Sequence, residues 1–418
     1  MNSETRRDTG EYARCIRLKA RGLKPALTGG VSRIGVTQMP EFASVIKETK
    51  AWACYDCGKC TATCPITRAG GSCAPRRHIL AANLGNTSEV VHSDGLFACL
   101  TCSACERRCP AEVGYTELVQ RCRELAYRDG IEPECPHGGA LQSVMRMIAK
   151  GGTRQDRLQW LSGGLATAPE KGDVFYWTGC TMYYDALFPD MGVSTLDGNR
   201  AAVRVMNKLG VTPVVSSEER CCGHDLLWNG DRKSFEALAA HNIRLIQQSG
   251  AATLVTSCAE CLRTWKLDYA PMGKGKLPRI VHITEWIEER LPDLKLKGSA
   301  RKHVTFQDPC RLGRHLGIYE PPRRLLSALP GVELRKMVHS RASATCCAGG
   351  TWSNCDRFAK QIQVERLREA RSTGAAVLAT ACPKCQVHFR CAMKDPNLKG
   401  AIEIEMRDVV ELIGEAIA

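Results

Sequence analysis

The chain has 418 residues, more than one hydrophobic core ordinarily serves, so two or three domains are expected. Its 44% hydrophobic and 24% charged content is that of a globular protein, and no run reaches the eighteen or so apolar residues of a membrane span. The polar start from Met1 to Asp8 has no apolar stretch after it, so no secretory signal is read and a cytoplasmic location is expected; the formal charge of +14 comes with no nucleic-acid-binding signature.

Residues 1–50 read as a basic extension rich in Gly and Arg, with turns at Gly29-Gly30 and Met39-Pro40 and a short helix over Glu11 to Arg21. Cys15 stands alone there and is read as a bystander. Residues 51–165 read as a helical domain that carries two cysteine runs of one spacing, Cys54, Cys57, Cys60, Cys64-Pro65 and Cys99, Cys102, Cys105, Cys109-Pro110. The pattern C-x2-C-x2-C-x3-C-P is that of bacterial ferredoxins, in which the fourth cysteine of each run serves the other [4Fe–4S] cubane. One cubane is therefore assigned to Cys54, Cys57, Cys60 and Cys109, and the other to Cys99, Cys102, Cys105 and Cys64. Zinc knuckles place two cysteines, a long gap and two more, which these two fourfold runs do not do. Helices are expected over Ala74 to Gly85, Thr116 to Arg128, Gly138 to Ala149 and Arg154 to Leu161. Cys73, Cys122 and Cys135 fall outside the ligand spacing and read as small core residues.

Strand–helix alternation begins near Asp173 and predicts parallel sheet with α/β layering. Strand 174–178 leads to Cys180, and helix 200–209 and strand 211–215 lead to Cys221-Cys222-Gly223. Helix 234–247 and strand 253–256 lead to Cys258 and Cys261. The pattern then returns: strand 303–309 to Cys310; helix 322–329 and strand 332–338 to Cys346-Cys347; helix 358–371 and strand 376–379 to Cys382 and Cys385. Offsets of 130, 125 and 124 residues at the three stations mark an internal duplication, with repeats at 170–298 and 299–418.

Each repeat thus offers five thiols beyond the carboxyl ends of its strands, where open α/β sheets build their sites. Five is one more than zinc or an ordinary cubane takes, and an adjacent pair does not easily serve one cubane face. The expectation is two non-cubane [4Fe–4S] clusters besides the two cubanes, the rival being a four-thiolate site with a spare cysteine. Cubanes with four thiolates carry about −2 each and five-thiolate sites about −3, which brings the +14 down to roughly +4. The 24 cysteines of a chain with no signal therefore point to metal and redox work, since a reducing compartment keeps thiols free to bind iron.

Cys221-Cys222-Gly223 with its flanking cysteines resembles the CCG domain of the B-type subunit of heterodisulfide reductase. The two ferredoxin runs, with Ser72-Cys73-Ala74-Pro75-Arg76-Arg77 between them, resemble its C-type subunit. The order, C-like then B-like in one chain, is similar to the fused D-type subunit and covers about residues 50–418. The resemblance implies two five-thiolate clusters facing across the repeats, with a disulfide or thiol substrate cleaved between them. It also implies electrons exchanged with a flavin-containing A-like partner, because the chain has no dinucleotide fingerprint of its own. Cys222 and Cys347 are the expected catalytic cysteines, and His224 and His388 the candidate proton donors. Asp308, Lys384 and Trp228 read as bystanders. One departure stands out: Ala348 occupies the place of the glycine that follows the first pair. The rival function is a pure relay in a larger oxidoreductase, of the 2-hydroxyacid dehydrogenase or aromatic acyl-CoA reductase kind.

Overall fold

The computed structural model describes residues 40–298, 302–398 and 400–417; the basic extension with its expected helix and Cys15 lies outside them. Helices dominate up to Lys150, at Pro40–Glu48, Pro75–Asn83, Tyr115–Arg128 and Ala140–Lys150. The second begins on Pro75, whose missing N–H costs nothing at a first helical position, and is closed by Gly85. The third buries a stripe through Leu118, Val119, Cys122 and Ala126.

Two parallel sheets follow. The first has β1 (Val174–Trp177), β2 (Thr253–Thr256) and β3 (Arg279–His282) side by side in that order. The second contains β4 (Lys302–Gln307), β5 (Val332–Arg335), β6 (Val377–Thr380) and β7 (Glu405–Asp408), in the order β5-β4-β6-β7. Register aligns Trp177, Thr256 and His282 in the first sheet, and Gln307, Thr380 and Asp408 in the second. The cysteine-bearing loops after β1, β2, β4 and β6 therefore leave their sheets at the carboxyl edge.

The expected strand 211–215 is an isolated parallel bridge at Val214, which exchanges hydrogen bonds with Val174 and Tyr176. Pro213 beside it has no N–H to extend the ladder. It fills the place that β5 takes in the second repeat. The expected helix 154–161 is absent, and the segment runs as an irregular strap. Arg157 is drawn inward to pair with the buried carboxylate of Glu219 at 3.0 Å, and Trp160 is buried with it. Those tertiary bonds outweigh a modest helical preference.

The repeats exchange their final helices. Val409–Ala416, which follows β7, packs on Thr195–Lys208 of the first repeat. Ile283–Glu288, which follows β3, packs on Glu320–Ala328 of the second. Among the described residues no helix is long and apolar enough to cross a membrane.

Candidate functional site

The two ferredoxin runs adopt one backbone path. Asp56 and Gly58 have positive φ in the first, and so do Thr101 and Ser103 at the matching places in the second. Alternating left- and right-handed residues turn successive N–H groups into a concavity suited to negative charge; the N–H of Thr101 donates to Cys99 Sγ at 3.3 Å. The last cysteine of each run lies beside the other run. Cys109 lies with Cys54 and Cys60, each close enough to push the Cys60 thiol up alongside the cost of burial. Cys64 lies with Cys99, Cys102 and Cys105, whose thiol is pushed well up by burial and by those neighbours. Cys57 is exposed on the first loop. Cys73 is more than a space-filler: its thiol hydrogen-bonds Cys64, pulling that thiol down to about 7, and also Cys99.

In the first repeat, Cys180 Sγ is 3.1 Å from Cys221 Sγ, and Cys261 Sγ is 3.5 Å from Cys222 Sγ. The loop that carries Cys180 is fixed by Glu219, which accepts the N–H groups of Thr178 and Gly179 at 3.0 and 2.6 Å. Gly179 has φ +71°, and a Cβ there would stand 3.1 Å from Cys261 Sγ, so the thiols converge only because this residue has no side chain. In the second repeat Cys310, Cys346, Cys347 and Cys385 lie close enough to shift one another, and Cys346, then Cys385, hold the Cys347 thiol well below its ordinary range. Ala348 takes φ +56° where Gly223 takes +74°, so the second repeat keeps the left-handed turn without glycine.

The sets meet one another. Cys258 is pulled down to about 6 by hydrogen bonds from Cys261 and, across the repeats, Cys382. Cys102 of the second ferredoxin run is pulled down to about 6 by a hydrogen bond from Cys346. Arg311 and Arg314, just after Cys310, secure that junction. Arg311 donates to the carbonyl and hydroxyl of Thr101 at 2.5 and 2.7 Å, and Arg314 to the Cys102 carbonyl at 2.6 Å. On the other flank, the buried Arg123 binds the carbonyls of Cys99 and Trp228 at 2.7 and 2.9 Å. Thiol-rich sets, most of them buried apart from the half-exposed Cys54 set, with N–H and guanidinium donors around them, fit iron–sulfur clusters, whose thiolate ligands need such donors.

Between the repeats lies a charged network that the cysteine pattern did not reveal. Lys384, inside the last C-x-x-C, places Nζ 2.5 Å from Asp225 and 2.7 Å from Glu260, the matching residue of the first C-x-x-C. Burial opposes the Lys384 charge, but the two carboxylates outweigh it and raise its pKa. His224, Asp225 and Glu260 offer ligand atoms within 4.8 Å of one another, yet the ammonium already fills the cation's place. His224 Nδ1 meets Asp225 at 3.0 Å and its Nε2 accepts from Arg311 Nε at 2.9 Å. Burial, then Arg311, lowers it to about 3, so the ring is neutral. His388 is lowered to about 4 by burial; its Nε2 has no hydrogen-bond partner among the described residues, and it lies beside Cys347. Trp228 is sandwiched by Arg263 and Arg311, with guanidinium carbons 4.7 and 4.4 Å from the ring centre. Asp308 pairs with Arg323 at 2.7 Å.

A family model for the cysteine-rich CCG domain matches residues 174–266 and 304–390, and one for a 4Fe-4S dicluster domain matches 49–113. The D-type subunit of the dihydromethanophenazine:CoB–CoM heterodisulfide reductase of Methanosarcina acetivorans is 32% identical over 401 residues, covering 87% of this chain and 93% of that one. The chain belongs to the family of D-type heterodisulfide reductase subunits. The B-type subunit of a fumarate reductase (CoM/CoB) from Methanothermobacter marburgensis is 26% identical over 380 residues, 88% of this D-type chain and 72% of that protein. Among solved structures, a hypothetical protein from Helicobacter pylori aligns with a TM-score of 0.50 at 10% identity, over 75% of this D-type chain and 60% of that one. This likeness extends to the fold alone. The chain is an iron–sulfur oxidoreductase subunit related to both reductases.

Proposed function

We propose that the chain reduces or forms a disulfide between its two CCG repeats, with electrons delivered or withdrawn through two cubanes held by the ferredoxin cysteines. The Cys54, Cys57, Cys60 and Cys109 set exchanges electrons with a flavin-containing A-like partner in the cytoplasm. From there the route runs through the set of Cys99, Cys102, Cys105 and Cys64 to Cys310, Cys346, Cys347, Cys382 and Cys385. It ends at Cys180, Cys221, Cys222, Cys258 and Cys261. The observation that carries the reading is that the sets abut: Arg311 and Arg314, next to Cys310, bond the Thr101 and Cys102 carbonyls, Cys102 and Cys346 line one cavity, and Lys384 and Glu260, inside the two C-x-x-C motifs, meet at 2.7 Å. When bound, the clusters supply one-electron transfer, and the two five-thiolate ones supply iron to the sulfurs of the substrate.

The chain's own residues set the stage for that chemistry. Cys222 and Cys347 are the members of each adjacent pair whose thiols bond the C-x-x-C of their repeat, through Cys261 and Cys385. His388, neutral like His224 but with an Nε2 not engaged by a described protein group, is the histidine better placed to hydrogen-bond a sulfur held beside Cys347. His224, with both nitrogens engaged, positions Arg311 against the Thr101 loop. Cys222→Ser and Cys347→Ser should each abolish disulfide reduction by comparable factors while iron at the untouched repeat is retained. A Cys347→Ser protein with unchanged rate and unchanged thiol-bound spectrum would make the second repeat structural. That outcome would favour a relay with one special cluster, the kind of role open to a chain that is also similar to a component of a fumarate reductase.

A further inference from the structure

A cationic groove lies where the second ferredoxin run meets the second repeat. Its cavity is about 480 Å³, and Arg68, Arg107, Arg108, Arg314 and Arg341 line it with no Asp or Glu. These five arginines come from four separate segments. Arg314, buried, is spent on the carbonyls of Cys102 and Ala344. Arg341 pairs with Glu320 outside the groove, and its positive φ of 56° is held by an N–H bond to Asp308. Arg107 donates only to the Arg314 carbonyl. Arg68 and Arg108 are exposed and have no ion-pair partner among the described residues.

The thiols of Cys102 and Cys346 also line this groove. Both residues are buried, at 7% and 4% exposure, so a layer of protein keeps a small sulfur compound from either thiol. An electron can cross such a layer without direct contact. The ligand that fits is therefore one that brings negative charge to the rim and exchanges single electrons over a short gap.

We infer that this groove docks an acidic one-electron carrier protein, giving the chain a second electrical contact apart from the Cys54 set. In the step itself, the reduced carrier would lose one electron and the cluster that Cys99, Cys102, Cys105 and Cys64 would hold would gain it; no bond is made or broken and no proton moves. The inference rests on the proposed reading of those cysteines as cluster ligands. It adds what that reading leaves open, the place and the chemistry of a partner.

Binding of an acidic plant-type [2Fe–2S] ferredoxin to the iron-loaded chain tests the surface directly. The expected result is an affinity that falls tenfold or more between about 50 and 500 mM salt, as screening shortens the reach of the arginines. Arg68→Glu combined with Arg108→Glu should weaken binding by about tenfold or more, with electron transfer from the reduced ferredoxin slowed in parallel. Reduction by methyl viologen, iron content and fold should be unchanged, and Lys171→Glu, an exposed site outside the groove, should leave binding intact. Equal ferredoxin affinity in the double variant and the parent would overturn the proposal. So would tight binding of inorganic phosphate that the arginine variant loses, with ferredoxin unaffected, because the groove would then be a small-anion site. Iron well below the expected content with arginine-dependent binding intact would strike the cluster reading alone and leave the docking surface standing.

Discussion

The residue after each cysteine pair gives a quantitative test of how the two repeats differ. Gly223 and Ala348 occupy matching left-handed turns, at φ +74° and +56°. A Cβ on Gly223 would stand 3.0 Å from Phe235 Cδ2 and 3.2 Å from Leu238 Cδ1. Gly223→Ala therefore adds about 1–2 kcal/mol of backbone strain and about 1–3 kcal/mol of overpacking. The less flexible unfolded chain returns about 0.4–1 kcal/mol. The net cost is roughly 2–4 kcal/mol. Ala348→Gly works in the other direction. It relieves about 1–2 kcal/mol of strain, but forfeits about 0.8 kcal/mol for a fully buried methyl and about 0.5–1 kcal/mol of added chain entropy. The result lies within about 1 kcal/mol of zero. Urea unfolding of the iron-loaded chain, read by tryptophan fluorescence with iron release measured alongside, separates the two cases. A Gly223→Ala protein as stable as the parent, or an Ala348→Gly gain above about 2 kcal/mol, would refute the idea that packing beside the first turn is what requires glycine there.

Iron and acid-labile sulfide analysis after anaerobic purification should give about sixteen irons per chain; about eight irons with stoichiometric zinc would remove the five-thiolate clusters and keep the cubanes. Lys384→Met leaves Asp225 and Glu260 buried without their counter-ion and should cost about 3–5 kcal/mol in urea unfolding; a loss under about 1 kcal/mol would mean that the network is not what joins the repeats. Burial works to raise the Asp225 pKa, but Lys384 and then His224 hold it below the ordinary carboxylate value. Its stabilising contribution is therefore complete above that value and falls away as pH drops below about 4. Acid unfolding curves of the parent should show this loss, and those of Lys384→Met should show less of it.

Much of the site was legible because its ligands are cysteines at fixed spacings, and spacing survives without knowledge of packing. The crossed pairing of Cys64 and Cys109 was read from the proline after each, and the structure sets Cys109 near Cys54 and Cys60, and Cys64 near Cys102 and Cys105. The buried strands β1, β2, β4 and β6 announced themselves as short aromatic or β-branched runs. The strands β3 and β7 did not, because Arg279–His282 and Glu405–Asp408 carry charge at sheet edges. The strap at 154–161 was misread because an arginine in a helical pattern gives no sign that it will be buried against Glu219. The Lys384 network was missed although a signal existed: Glu260 and Lys384 hold the same position in the two C-x-x-C motifs with opposite charge. Complementary charges at equivalent places in a duplicated chain point to a contact across the repeat axis.

The exchanged helices have a consequence for how the two halves can exist. Val409–Ala416 packs on Thr195–Lys208 of the first repeat as well as on Glu320–Ala328 of its own, and Ile283–Glu288 packs on Glu320–Ala328 as well as on β2 and β3, so each half supplies part of the apolar cover of the other. Half a chain would keep each last helix on its own sheet but lose its packing on the other half. A protein of a single repeat could reach the same arrangement only as two copies trading their last helices, the geometry of a domain-swapped twofold dimer. Joined in one polypeptide, the halves cannot part by bending at the connecting segment unless both helix pairs unpack together. Relative movement of the two sheets is then resisted by both helix pairs at once, which leaves the easier movement to side chains and loops.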